Sequence, residues 1–194
     1  NAQAAIYLEL DNNQQAIEAA MAAEQLARLT GADMELALAQ LVQGEAAGRM
    51  GDRTRAVKAG QQAIERGRSL DAPQGMARAL ALLGTFADEA EERRRAVDEL
   101  QALAEDLKRG GLDDEAAYAL GKLGALWLAL DQPQQAREAL ERALTWQRAA
   151  KSPRVTAEIL RLTGIAACRT NDTGSAIGLL EEAEALADAA GDRY

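Results

Sequence analysis

Small residues recur along this chain at a spacing of forty, and that spacing restricts the fold more than any other feature. Ala16, Ala56, Ala96, Ala136 and Ala176 form one series; Gly44, Gly84, Gly124 and Gly164 form a second, with Ala4 in the glycine's place at the start. No insertion or deletion interrupts either. Ile17, Val57, Val97 and Ile177 follow the alanines, with Arg137 as the one departure, and Leu100, Leu140 and Leu180 lie four residues beyond them. A fixed period of this length marks a supersecondary unit that cannot bury its apolar face alone and must stack on copies of itself.

Polar breaks divide each unit in two. Asp11-Asn12-Asn13, Gly51-Asp52, Asp131-Gln132-Pro133 and Asn171-Asp172 read as a helix stop followed by an N-cap, whose side chain accepts orphan backbone N–H groups of the next helix. Gly31-Ala32-Asp33, Asp71-Ala72-Pro73, Gly110-Gly111-Leu112-Asp113 and Ser152-Pro153 close the units with C-cap and first-turn residues. The pattern predicts paired helices A and B at 3–10 and 14–30, 34–50 and 54–69, 74–90 and 93–109, 114–130 and 134–149, 154–170 and 174–190, the first helix A being short. In the third unit the segment from Asp88 to Arg95 has neither Gly nor Pro, so one continuous helix over 75–109 competes with two. The kept register of Gly84 and Ala96 favours two. Ala, Leu, Glu, Gln and Arg dominate and only 3% of residues are aromatic, so no strand is expected.

Leu83-Gly84 and Leu123-Gly124, with Ala136, Leu140 and Ala143 and then Ala176, Leu180 and Ala183, resemble the motif of the tetratricopeptide repeat (TPR) family. The resemblance covers essentially the whole chain, with Leu103 in place of the last alanine in the third unit. The forty-residue repeat is longer than the family's usual one and resembles the subclass found in bacterial signalling regulators of the maltose-activator type and in polarity adaptors. It implies an all-α, right-handed superhelical solenoid of about five antiparallel helix pairs. That is a single domain over 1–194, with repeats at 1–33, 34–73, 74–113, 114–153 and 154–194. The abrupt first unit, and the lack of a polar capping helix after the last, suggest a fragment of a longer protein or pairing with a copy.

The resemblance also implies a concave groove lined by helix A. The positions facing it in the family register are Glu45 and Arg49; Arg78, Thr85, Asp88 and Glu89; Tyr118, Ala125 and Leu128; and Glu158, Arg161 and Arg169. Arg78, Tyr118, Arg161 and Arg169 stand out as contacts, because Arg and Tyr are enriched in binding hot spots. A solvated groove with nothing bound is the rival reading. The chaperone-docking members' Lys and Asn clamp is absent: the matching places hold Leu41 and Glu45, Ala81 and Thr85, Gly121 and Ala125.

The chain has no His, so the commonest general base and metal ligand are missing. Gly110-Gly111 lacks the Gly-Lys-Ser/Thr of a phosphate loop, and there is no Cys pair for zinc. Cys168 has no His to activate it and is expected as a buried, inert thiol. Acidic pairs such as Glu181-Glu182 and Asp88-Glu89 are expected to face solvent, and the carboxylates within Glu91-Glu92-Arg93-Arg94-Arg95 to satisfy their neighbouring arginines. Trp127 is expected in the core, while Trp146 is open to an interface role.

A net charge of -9 repels phosphate backbones and anionic lipid, so neither nucleic acid nor a membrane is an expected partner. By unit the charges are -4, +1, -3, 0 and -3, so an anionic ligand would favour the middle of the groove, at Arg78 or Arg161. A lone cysteine and the absence of a long apolar run fit the cytoplasm. The sequence therefore predicts a non-enzymatic, cofactor-free scaffold or sensor of a bacterial signalling or transcriptional regulator, binding a protein or peptide in its groove. The alternative is a homo-oligomerisation element, a homodimer formed through Ile177, Leu180, Ala183 and Leu186 of the uncapped last helix.

Overall fold

The computed structural model describes residues 1–147 and 152–189. Among them the chain forms ten α-helices and no strand. They come in five pairs: α1 (Ala2–Glu9) with α2 (Asn13–Thr30), α3 (Asp33–Arg49) with α4 (Arg53–Leu70), α5 (Pro73–Phe86) with α6 (Ala90–Arg109), α7 (Asp113–Ala129) with α8 (Pro133–Gln147), and α9 (Pro153–Arg169) with α10 (Thr173–Ala189). The odd-numbered members are the A helices, and α3, α5, α7 and α9 begin forty residues apart. The expected helix ends at 149 and 190 lie outside the described residues.

The turns repeat in the backbone as well as in the sequence. Asp11, Gly51, Asp131 and Asn171 carry positive φ in one series, and Gly31, Asp71 and Gly111 in another. Short polar side chains enter this left-handed region at lower cost than bulkier ones, so Asp and Asn can take a position where the other series member uses Gly. The next residue then caps the following helix: the side chains of Asn12, Asp52 and Asp172 accept from the backbone N–H of Gln15, Arg55 and Ser175 at 3.4, 3.0 and 3.2 Å. Ser152 does the same for Val155, ahead of Pro153 at the first turn of α9.

The third unit does break into two helices, although four residues early on the A side and three on the B side. Ala87 is extended, with ψ 136°, and α6 starts at Ala90. A tertiary clamp holds this turn where no Gly or Pro does. The Arg53 guanidinium donates to the Ala87 carbonyl at 3.3 Å and pairs with Asp88 at 2.9 Å. Local reading cannot place such a stop, because its cause lies thirty-four residues away in α4.

The chain divides into two compact units, Asn1–Ala96 and Val97–Tyr194, with the division inside α6. In the first, sequential helices pack together and the A helices also touch one another, α1 on α3 and α3 on α5; α2 and α4 do not meet. The second repeats this arrangement: α7 touches α9, while the backbones of α8 and α10 do not come close. Within each unit the A helices are thus neighbours along one face, and in the first a crevice opens between α2 and α4.

The small-residue series explain the close approach. Ala16, Ala56, Ala96, Ala136 and Ala176 are all buried to within 1%. A Cβ added at Gly124 would lie 2.4 Å from Leu140 Cγ, and one at Gly164 would lie 2.8 Å from Leu180 Cγ. Within these pairs the glycine of helix A is thus the socket for the leucine four residues beyond the alanine of helix B. The one departure in the apolar column, Arg137, has a local reason: it bridges Glu141 at 2.7 Å and Asp172, the cap of α10, at 3.0 Å.

Candidate functional site

On the A-helix face of the first unit, Glu45 of α3 meets Arg78 of α5. The guanidinium donates twice, at 2.6 and 2.7 Å, to the two carboxylate oxygens, with both side chains about four-fifths buried. This fork geometry is the strongest form of ion pair available to the chain. It ties neighbouring A helices together. The expected anion contact Arg78 is thus already matched by a carboxylate.

Arg49 and Arg169 prove to be repeat equivalents in structure too. Arg49 donates to the Leu8 carbonyl at 2.7 Å, with Asp11 3.8 Å away; Arg169 donates to the Leu128 carbonyl at 2.8 Å, with Asp131 4.0 Å away. Each cation adds a second donor to a last-turn carbonyl of the preceding A helix, which already accepts the backbone N–H of Asp11 or Asp131 at 3.2 Å, and it sits at the negative end of that helix's dipole. Glu89 and Ala129 hold the same column and offer no such donor. Asp88, exposed, is occupied by Arg53, and Glu89 is exposed beside it.

In the second unit, Tyr118 and Lys122 of α7 face Glu158 of α9. Lys122 donates to Glu158 at 2.8 Å while standing 5.0 Å from the Tyr118 ring centroid, so the ammonium is shared between a carboxylate and a π face. Tyr118, Lys122 and Glu158 are half-buried and border a small notch with Ile159 and Leu162. Arg161, one turn along α9 from Glu158, is exposed, and no ion pair or hydrogen bond engages its guanidinium among the described residues. Lys122 is the residue the sequence reading missed. Its column holds Val42, Leu82 and Leu162 elsewhere, so a lone Lys there was the available signal.

Other expectations resolve individually. Cys168 is exposed, which corrects the expected buried thiol: it sits at the end of α9, past the last turn that the helix buries. Trp127 is half-buried. Trp146 is half-buried as well, with Lys108 and Arg142 at 5.4 and 5.2 Å from its ring, so cations of its own unit cover it. Arg95 pairs with Glu91 at 3.3 Å, as the charge pattern suggested. Among the described residues no cluster of His, Cys, Asp or Glu is arranged to hold a metal, and no helix is long and apolar enough to cross a membrane.

No family model matches the chain, and neither does any curated protein. Solved structures do. A putative kinesin light chain of Podosopora anserina with nearly identical TPR-like repeats is 16% identical, with 98% of this chain and 94% of that one covered at a TM-score of 0.52. BtubC (BKLC) from P. vanneervenii is 15% identical, with 98% and 79% covered and a TM-score of 0.54. Identity this low speaks to architecture alone. By fold, the chain is a TPR-like helical-repeat protein.

Proposed function

We propose that the chain is a protein- or peptide-binding scaffold that receives its partner in a groove along the A helices, without catalysis. The observation that carries this reading is the cluster of Tyr118, Lys122, Glu158 and Arg161: an aromatic ring, two cations and a carboxylate on one face, with Arg161 unengaged. Tyr and Arg are the side chains that most often anchor interfaces, and a peptide offers carbonyls and carboxylates to both. The resemblance of the forty-residue repeat supports a module of a bacterial signalling or transcriptional regulator, and the single cysteine supports a cytoplasmic setting. A photo-crosslinking residue at Tyr118, compared with one at the exposed Gln135 of α8, tests the site. The reading expects a discrete protein adduct from position 118 that Arg161→Glu diminishes. Adducts from position 135 alone would contradict it.

A second reading has its own support. Ile177 is 55% and Leu180 37% exposed on α10, large apolar side chains that a second copy would cover. Ala183, also expected on that face, is buried within the unit. Ile177→Glu should turn a concentration-dependent dimer into a monomer in light scattering; a monomer at all concentrations before substitution dismisses this reading.

A further inference from the structure

The first unit contains a polar crevice between α2 and α4, floored by α3, of about 310 Å³. The repeat provides an internal control for what belongs there. Gln40 stands in the column of Leu80, Leu120 and Leu160; Gln43 in that of Gln3, Leu83, Leu123 and Thr163; Glu24 in that of Ile64, Ala104 and Leu144, with a second acid, Glu184, only in the last helix. Three positions that are apolar in the middle units are polar here. The walls depart as well. Lys58 replaces Glu18, Asp98, Glu138 and Gly178 of its column, and Arg66 replaces Leu26, Asp106, Trp146 and Leu186. Both wall positions thus carry cations where their columns otherwise hold acidic, apolar or uncharged residues, in a chain of net charge -9 and in the forty-residue repeat, 34–73, whose own balance is +1.

The hydrogen bonds fix how the floor is oriented. Gln40 and Gln43 donate their amide nitrogens to Glu24 at 3.0 and 2.7 Å, Arg28 donates to Glu24 at 2.7 Å, and Arg55 donates to the Gln43 side-chain oxygen at 3.0 Å. Burial pushes the Glu24 carboxyl up, but the donors Gln43, Arg28 and Gln40 outweigh it and hold it below the usual carboxylate range. Because a carboxylate only accepts, Gln40 must turn its nitrogen toward Glu24, and its Oε1 is left buried without a donor. Such an orphaned acceptor is costly and calls for an explanation. Lys58 and Arg66 also line this crevice, and among the described residues neither side chain has an ion pair or hydrogen bond.

We propose that the crevice binds a small phosphate monoester bearing a free hydroxyl, with the phosphate held by Lys58 and Arg66 and the hydroxyl donating to Gln40 Oε1. Two unengaged cations match a dianion, and the planar guanidinium of Arg66 suits bidentate contact with phosphate oxygens. A volume near the lower end of ligand pockets fits a compact molecule. This site shares no residue with the A-helix face and stands or falls separately from it.

Titration calorimetry of the full chain with glycerol 3-phosphate tests the assignment, with glycerol, inorganic phosphate and a phosphoserine peptide as comparators. Saturable one-site binding of glycerol 3-phosphate is expected, with inorganic phosphate and the peptide weaker by about tenfold or more and glycerol silent. Lys58→Glu and Arg66→Asp, which install residues found elsewhere in the same columns, should each weaken binding at least about tenfold while leaving the circular dichroism melt in place. Gln40→Leu should bring glycerol 3-phosphate down to the level of inorganic phosphate. Absence of saturable binding at millimolar concentration, or binding that survives both charge reversals, would overturn the site. Equal affinity for inorganic phosphate would overturn the role given to Gln40, and equal affinity for the phosphoserine peptide would overturn the small-molecule assignment.

Discussion

The interlock between helix A glycines and helix B leucines can be separated from helix propensity by making one substitution at two places. Gly→Ala in an exposed helix interior should stabilise by about 0.5–1 kcal/mol, since it removes backbone freedom from the unfolded chain and adds a better helix former. Gly178 of α10 is exposed, and a Cβ built there meets nothing within 4 Å, so Gly178→Ala should realise that gain. At Gly124 the same methyl would press to 2.4, 2.6 and 2.9 Å against three carbons of Leu140, which is fully buried and has no free side to move to. Overpacking of this kind costs about 1–3 kcal/mol. Because the propensity gain is common to both sites, the stability difference between the two variants isolates the packing cost, at about 1–3 kcal/mol with Gly124→Ala the weaker. Urea midpoints for both variants and the parent, followed by circular dichroism at constant protein concentration, provide the number. Equal stabilisation by both would refute the close A–B approach in the fourth pair.

Other consequences are direct. In a double-mutant cycle, Glu45→Gln and Arg78→Met should show a coupling of about 1 kcal/mol, appropriate to a bidentate but partly solvated pair; a coupling of zero would deny the bridge between α3 and α5. Glu24 and Asp172 both have folded-state carboxyl pKa values lowered from the usual ones, Asp172 chiefly through the Ser175 side chain and backbone N–H. Their stabilising contribution is therefore complete above the unfolded carboxylate range near about pH 4 and is lost as pH falls through the lowered values. The denaturant midpoint should drop between about pH 5 and pH 3, and Glu24→Gln should make that drop shallower, which a pH series would check. Arg169→Met should expose the end of α7, raising amide exchange at 130–132 by several-fold in mass-spectrometric labelling; unchanged exchange would show that Arg169 does not hold that turn.

The architecture was legible because the repeat put the same physics before the reader five times. Asn12, Asp52 and Asp172 announced helix starts, and the left-handed positions 11, 51, 131 and 171 were readable from Asp, Gly and Asn types alone. Cooperation across units was harder. The stop at Ala87 depends on Arg53, and the fates of Arg49, Arg78 and Arg169 depend on carbonyls and carboxylates thirty-three to forty-one residues distant. Register alone reads an exposed-facing arginine as an offer to a ligand, whereas its own chain can reach it first. The crevice floor illustrates the converse: Gln40 and Gln43 break, in the sequence itself, columns that are apolar in the middle units, but their partner Glu24 lies sixteen and nineteen residues away on α2.

Backbone chemical shifts, assigned by solution NMR for the whole chain, test the forty-residue alternation of paired helices most directly. Helical shifts are expected throughout, interrupted at 11, 31, 51, 71, 87–89, 111, 131 and 171, with left-handed values at the seven single positions. Unbroken helical shifts from 75 to 109, or extended shifts over any run of residues within a named helix, would contradict it.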